Sequence, residues 1–173
     1  MRRPVSSITV LSALVSAGLL IGGTVASAAP APSPGDGAQA AAKGQKVCTV
    51  TDERLRELSG LVAAQTGYVV VNDGTDQPDR KRIFYLSAKC RVTKAVEYSG
   101  NGPLDTEDLA LSPDGETLWI ADTGDNVTSA THRAKVALWS MPADGSKKPA
   151  LHRLSYPEQK PHDAEALLIG DDG

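Results

Sequence analysis

Four acidic side chains occupy matching positions in two similar segments of the chain. Each segment centres on a leucine, and acidic residues stand two and four positions before it: Asp105, Glu107, Asp163 and Glu165. Carboxylates that converge in a site of low dielectric repel one another, which raises some of their pKa values unless a cation compensates the charge. Hard oxygen ligands of this kind suit Ca²⁺ or Mg²⁺. We therefore predict a metal site in which Glu107 and Glu165 act as ligands or as acid/base groups.

Other polar residues are predicted to approach the same site. Asp122 ends an apolar run and is predicted as a fifth metal ligand. Arg82 and Arg133 lie in the loops that follow such runs, where a guanidinium could bind a phosphate or carboxylate. His162 could be a metal ligand or a general base. The alternative stays open that the acidic residues only form turns and backbone hydrogen bonds, while the basic ones protect strand edges.

Composition and missing motifs exclude several classes of function. The 173-residue chain has 18 Lys and Arg against 21 Asp and Glu, a net charge of -3, which argues against nucleic-acid binding. The sequence has no Gly-Lys-Ser/Thr phosphate loop, no Gly-x-Ser-x-Gly elbow and no Cys/His cluster, so nucleotide hydrolysis, serine-esterase chemistry and zinc catalysis lack support. A small molecule or another extracellular ligand is the expected partner.

The elements that must position these residues are short strands in a repeated order. Leu61, Leu109 and Leu167 mark three similar segments, 48 and 58 residues apart. The first two are each followed by three further apolar runs: Tyr68–Asp73, Ile83–Leu86 and Val92–Tyr98 in one copy, Leu118–Asp122, Val136–Trp139 and Leu151–Tyr156 in the other. Four short strands per repeat of this length are typical of β-propeller blades. We predict an all-β chain with antiparallel four-stranded blades at about 58–98 and 105–156 and a third beginning at about 163.

Turn chemistry and strand direction predict where the acidic residues meet. Ser112-Pro113-Asp114-Gly115 has the residues of a tight hairpin loop between two strands. Because antiparallel strands alternate in direction, the start of the first strand and the end of the second lie on the same side of a blade. Glu107 and Glu165 should then face one axial space from neighbouring blades, with Asp73 and Asp122 at the ends of second strands on the same side.

The number of blades indicates an incomplete ring. Propellers close with about four to eight blades, whereas two blades and one further strand would leave apolar faces and strand edges in water. We expect the chain to be the N-terminal part of a longer protein. The alternative is a domain that closes by oligomerising.

The N-terminus has the pattern of a secretory signal. Arg2 and Arg3 precede an apolar run over 8–25, and Ala26-Ser27-Ala28 supplies small residues for cleavage. We predict a signal peptide at 1–28, with an uncleaved membrane anchor as the alternative, and a flexible Ala/Pro/Gly-rich leader at 29–46. The propeller part would occupy 47–173 of a secreted protein that does not stay inserted in the membrane.

The two cysteines are predicted to form a disulfide in that oxidising compartment. Cys48 and Cys90 have no Cys/His cluster nearby that would offer a metal alternative. A bond between them would close a loop of about 42 residues and restrict the unfolded chain. Two buried, unpaired cysteines are the alternative.

Several motifs carry a resemblance to known propellers. The segment Leu111–Asp122 resembles the blade hairpin of YVTN-type and WD-repeat-like bacterial propellers. Asp105–Ala110, Asp122–Asn126 and His162–Leu167 resemble, in this order, motifs of secreted actinobacterial propellers grouped with the esterase-like phytase family. The resemblance implies a propeller with a metal-centred channel mouth. It leaves two functions open, a ligand- or cation-binding module and a metal-dependent hydrolase of phosphoesters, esters or lactones.

Overall fold

Eight strands in two antiparallel sheets make up the described chain. The computed structural model describes residues 44–126 and 128–171, so the predicted signal peptide and nearly all of the predicted leader lie outside the described residues. The first sheet has the order β1 (Leu58–Ala64), β2 (Gly67–Asn72), β3 (Arg82–Ser87), β4 (Val92–Glu97). The second has the order β5 (Asp108–Leu111), β6 (Thr117–Asp122), β7 (Val136–Pro142), β8 (Ala150–Leu154). The prediction of an all-β chain with two four-stranded antiparallel units is confirmed.

Helical structure is nearly absent from the described residues. They contain one short 3₁₀ turn, Pro157–Gln159, and no α-helix. A search of the same residues for a helix long and apolar enough to cross a membrane finds none.

The central strands are apolar on both sides because both faces of the first sheet are covered. Val69, Val70 and Val71 in β2 are all buried, as are Ile83 and Phe84 in β3. β-Branched and aromatic side chains pack well on a pleated surface, and a strand covered on both faces has a continuous apolar run instead of alternation.

The hairpin between β5 and β6 has the predicted turn. The Gly115 amide donates to the Ser112 carbonyl at 2.8 Å, and Gly115 has a φ of 74°. Only glycine adopts this left-handed conformation without strain, so the residue fixes the loop and the register of the strands that it joins.

The two sheets pack against each other over a shared apolar core. Ile120 of β6 and Trp139 of β7 pack against Val71 and Ile83 of the first sheet. The Trp139 ring also meets the Tyr98 ring edge-on, with 5.2 Å between the centroids. Aromatic pairs in this geometry add to the stabilisation from apolar burial.

Strand register shows that the sheets stack front to back. In the first sheet Val70 pairs with Phe84, next to the repeat leucine of β1. In the second sheet the equivalent pair is Ile120 and Trp139. Val70 and Phe84 lie on the face of the first sheet that points away from the second sheet, whereas Ile120 and Trp139 point towards the first sheet. Corresponding faces of the two sheets therefore point in the same direction, so the front face of one sheet packs on the back face of the other.

The first strands of the two sheets approach closely at a glycine. A Cβ on Gly60 would lie 2.9 Å from the backbone nitrogen of Leu109. The Ser59 hydroxyl donates to the Thr106 carbonyl at 2.8 Å beside this contact. The absence of a side chain at Gly60 thus lets β1 lie directly against β5.

A disulfide fixes the N-terminal segment to the outer face of the first sheet. Cys48 and Cys90 are bonded, with 5.9 Å between their Cα atoms, which confirms the predicted pair. The segment places Val50 and Leu55 against Phe84 on that face. The disulfide therefore keeps apolar surface of the first sheet covered.

The third repeat segment runs beside the second sheet without joining a ladder. The Leu167 amide donates to Asp108 Oδ2 at 3.0 Å. Thr123 donates its hydroxyl to the Ala164 carbonyl at 2.6 Å and accepts the Ala164 amide at 3.4 Å through its carbonyl. The strand predicted to begin at about 163 is not assigned among the described residues. The contacts of this segment reach loop and side-chain atoms and not the backbone edge of a neighbouring strand.

Candidate metal centre

Five carboxylates from three parts of the chain meet beside the first strands of the two sheets. They form two overlapping groups that share Glu107, and within each group one oxygen per residue lies within 4.8 Å of the others. We call these residues the acidic cluster: Asp73, Asp105, Glu107, Asp163 and Glu165. Four of the five predicted metal ligands thus lie together. Asp73, placed on this side by the sequence but not assigned as a ligand, joins them.

Local backbone structure positions the two central carboxylates. Asp105 and Glu107 lie in the segment that leads into β5, where residues two apart point to the same side of an extended chain. The Glu107 amide donates to the Ala121 carbonyl at 3.0 Å, and the Gly124 amide donates to the Asp105 carbonyl at 3.3 Å. These hydrogen bonds hold both residues beside the end of β6.

Two glycines allow the carboxylates to lie directly against the backbone. A Cβ on Gly124 would collide with the carboxylates of Glu107 and Asp105, and a Cβ on Gly74 would collide with Asp105. Gly74 follows the end of β2 and Gly124 follows the end of β6. In each sheet, the residue two positions after the second strand is therefore a glycine that leaves space for the acidic cluster.

Burial and neighbouring carboxylates raise the proton affinity of two members of the cluster, Glu107 and Asp105. Burial raises the pKa of Glu107 to about 8, assisted by a hydrogen bond with Glu165 and by the negative charges of Asp105, Glu165 and Asp73. Burial also raises the pKa of Asp105, together with a hydrogen bond to Asp73, while Arg133 partly opposes the rise. The cluster can reduce this repulsion by taking up protons or a cation.

Asp122 lies apart from the cluster and has a different set of partners. Its Oδ1 accepts the amides of Leu104 and Asp105 at 3.1 and 3.0 Å. The same oxygen pairs with Arg133 Nη2 at 2.9 Å, while Oδ2 accepts Trp139 Nε1 at 3.3 Å. Asp122 thus holds the Asp105 backbone in place and hydrogen-bonds to Trp139 of the apolar core.

The register also changes the equivalence that the sequence suggested between Asp73 and Asp122. Counted from the paired strands, the counterpart of Asp122 is Asn72. Asn72 Nδ2 donates to the carbonyls of Arg54 and Arg80, both at 2.9 Å. Asp73 lies one residue further along, and its exposed side chain reaches the acidic cluster.

The predicted ligand-binding residues have other partners in the structure. Arg82 pairs with Glu97 at 3.0 Å, and Glu97 is not a member of the acidic cluster. Besides Asp122, Arg133 donates from Nη1 to the Gly124 carbonyl at 2.9 Å. His162 packs edge-on against Tyr156, with ring centroids 4.7 Å apart, and it borders the cluster without belonging to it.

An open cleft of about 430 Å³ adjoins the acidic cluster. Asp105 borders both, and Gly74 and Gly124 line the cleft as well. We call it the polar cleft, because its side chains include Thr75, Asp76, Asn126, Ser129 and Thr131. Its volume lies within the range of about 300–1,000 Å³ that is typical of small-molecule sites.

Comparison with models of protein families, with curated proteins and with solved structures gives no match for this chain. The chemistry of the site follows from its donor atoms. Each of the two groups in the acidic cluster offers carboxylate oxygens from three residues, and such a group could hold a hard divalent cation.

Proposed function

We propose that the two sheets are blades of a secreted β-propeller that binds Ca²⁺ through the acidic cluster. The convergence of five carboxylates around Glu107 carries this proposal. Ca²⁺ takes about six to eight oxygen ligands at about 2.3–2.6 Å in a flexible arrangement. Carboxylates from three separate segments can adjust to that arrangement more readily than to the strict octahedron of Mg²⁺.

Front-to-back stacking supports the propeller. Each blade of a propeller presents one face to the preceding blade and the other to the next, which is the relation between the two sheets here. The third repeat segment extends the pattern. Gly60 in β1 lies against Leu109, and the equivalent Asp108 in β5 hydrogen-bonds to Leu167. Leu109 and Leu167 thus contact the first strand of the preceding sheet at equivalent positions.

The disulfide and the N-terminal sequence support secretion. Disulfides persist in oxidising compartments and are rare in the cytosol of most organisms, and Cys48 is bonded to Cys90. The basic, apolar and small-residue order of 1–28 agrees with export.

A metal-dependent hydrolase is a second candidate, favoured by the polar cleft beside the acidic cluster. Asp105 borders both, so a substrate in the cleft could lie beside a cation held by the cluster. Such a cation could polarise a phosphoester, ester or lactone.

Calcium titration calorimetry of the full chain tests the proposed cation site. We expect one binding event for the unchanged chain. Glu107→Gln should weaken it by more than about 10–100-fold, the range that changes to outer-shell partners of metal ligands cost. Glu97→Gln is the matched control, because Glu97 is an exposed strand residue paired with Lys148 and Arg82. Equal calcium affinities in the unchanged chain and both variants would refute the site.

A substrate panel separates the two candidates. The full chain with calcium is assayed against phosphoesters, esters and lactones, alongside Glu107→Gln and Glu165→Gln. A hydrolase should lose most turnover in Glu107→Gln. Calcium binding without turnover on any member of the panel would favour the binding module.

A further inference from the structure

We propose that residues 48–55, the N-terminal cap, prevent a second copy of this chain from stacking on the first sheet. The back face of each sheet is the side of Val70 and Phe84 in the first and of Ile120 and Trp139 in the second, and the front face is the opposite side. Within the chain, the back face of the second sheet covers the front face of the first. The proposal requires no metal ion.

The front face of the second sheet is open at positions that are buried in the first sheet. Three front-face residues of the first sheet are at most 8% exposed: Val69, Ile83 and Val96. The register makes Trp119, Leu138 and His152 their counterparts in the second sheet. Trp119 and Leu138 are only half-buried, and His152 is exposed. These residues form a surface of the kind that the chain covers one sheet earlier.

The open surface carries no charged side chain. From β6 to β8, the front face of the second sheet has no Asp, Glu, Lys or Arg. The Trp119 and His152 rings lie together, with 5.3 Å between their centroids, and Ser140 Oγ lies 2.7 Å from His152 Nε2. Ala121 and Val136 on the same face are already buried. Such a surface fits an apolar, uncharged partner, because burial removes no ion from water.

A second copy of the chain has a surface of this kind. The back face of its second sheet is used within the copy itself, which leaves the back face of its first sheet. There Val70 and Phe84 hold the positions that Ile120 and Trp139 hold in the contact between the two sheets. A copy docked in this way would repeat the internal contact as a heterologous interface.

The N-terminal cap occupies the back face that such a docking needs. Val50 and Leu55 of the cap pack on Val70 and Phe84. Both covered residues are 0% exposed. A second copy therefore cannot reach them while the cap is in place.

Polar and covalent contacts hold the cap at both ends. The Arg54 guanidinium lies 5.1 Å from the centroid of the Phe84 ring, and the Arg54 carbonyl accepts Asn72 Nδ2 at 2.9 Å. At the other end, Cys48 is bonded to Cys90. The disulfide thus keeps the cap close to the sheet even when its apolar contacts open.

A mixture of two chains, each with one face available, tests the cap. The unchanged oxidised chain has an open front face. Its partner carries Cys48→Ser, Cys90→Ser and Leu55→Ser, which release the cap, and His152→Glu, which places a negative charge on its own front face. We expect each chain alone to sediment as a monomer. At about 100 μM of each chain, which exceeds a Kd of about 10 μM tenfold, the mixture should form a one-to-one complex.

Matched variants show whether the two faces make this complex. His152→Glu in the otherwise unchanged chain should weaken it at least about 10-fold, because the charge would be buried where the first sheet has Val96. Lys147→Glu, in the exposed turn between β7 and β8, should leave it unchanged. A monomeric mixture, or a complex that forms equally well with His152→Glu in both chains, would overturn the proposal. Stacking of the unchanged chain on itself that His152→Glu abolishes would overturn it as well.

Two further measurements keep the result unambiguous. Circular dichroism shows whether the partner with the released cap keeps its strands. The same partner without Leu55→Ser is a milder variant that retains the apolar anchor, and absence of a complex with both partners would also overturn the proposal. All mixtures contain a chelator, so their outcome is independent of the calcium titration that tests the proposed function.

Discussion

Raising the pH without a divalent cation should destabilise this protein through Glu107. Burial and neighbouring carboxylates raise its pKa from 4.5 to about 8, so the folded state binds the proton more tightly than the unfolded state. The stabilisation is fully present below about pH 4.5 and is lost as the pH rises through about 8. The free energy of unfolding should therefore fall across that window.

The size of the effect follows from the shift. At about 1.4 kcal/mol per pKa unit the full displacement corresponds to at most about 5 kcal/mol. Asp73 and Glu165, which supply part of the repulsion, are exposed, and solvent screens such interactions strongly. We expect a loss of about 1–3 kcal/mol between about pH 5 and about pH 8.5.

Urea unfolding of the full chain with a chelator measures this loss. Glu107→Gln should be less sensitive to pH, because its side chain does not titrate, and more stable than the unchanged chain at the high end. Glu97→Gln should keep the original slope, since Lys148 and Arg82 lower the pKa of Glu97. Calcium at about 100 times its Kd should restore about 2.7 kcal/mol. Equal slopes in the unchanged chain and Glu107→Gln, or stability that rises with pH in this window, would refute the reasoning.

Three further substitutions test the packing and the partners of the site. Gly60→Ala should cost about 1–3 kcal/mol in urea unfolding, because the new Cβ would press on the Leu109 backbone; an unchanged midpoint would contradict the close approach of β1 and β5. Cys48→Ser should cost about 2–4 kcal/mol by the loss of the bond to Cys90, measured by thermal unfolding beside the reduced parent, and equal stabilities of oxidised parent and variant would argue against it. Asp122→Asn should lower the free energy of unfolding by about 3–5 kcal/mol, because Arg133 loses its ion-pair partner. It should weaken calcium binding less than Glu107→Gln does. A larger loss of calcium affinity in Asp122→Asn than in Glu107→Gln, measured by calorimetry, would make Asp122 a ligand.

Local signals explain why the strands could be predicted from the sequence. Apolar runs rich in valine, isoleucine and aromatic residues coincide with β2, β3, β6 and β7, and the Ser112–Gly115 turn has the expected conformation. Strand propensity and turn chemistry depend on a few neighbouring residues, so both can be inferred from a single sequence. The direction in which the sheets stack depends on which face of each is covered, and that is decided by contacts between distant segments.

The repeat in the sequence predicts one part of the candidate site, the convergence of Glu107 and Glu165. Glu107 and Glu165 hold matching positions relative to the repeat leucines, so their convergence followed from the repeat. The sequence equates Asp73 with Asp122 because both follow an apolar run. The ladder register makes Asn72 the counterpart of Asp122 instead, because Val70 pairs with Leu61 as Ile120 pairs with Leu109. The pairing of Asp122 with Arg133 and Trp139 arises from tertiary packing that spacing does not encode.

A crystal structure of the full chain grown with calcium would test the central claim most directly. The account predicts one calcium ion with carboxylate oxygens of Glu107 and Asp105 at about 2.3–2.6 Å, and with further ligands from Asp73, Asp163 or Glu165. A calcium ion bound elsewhere, or an acidic cluster that holds none at saturating calcium, would contradict it.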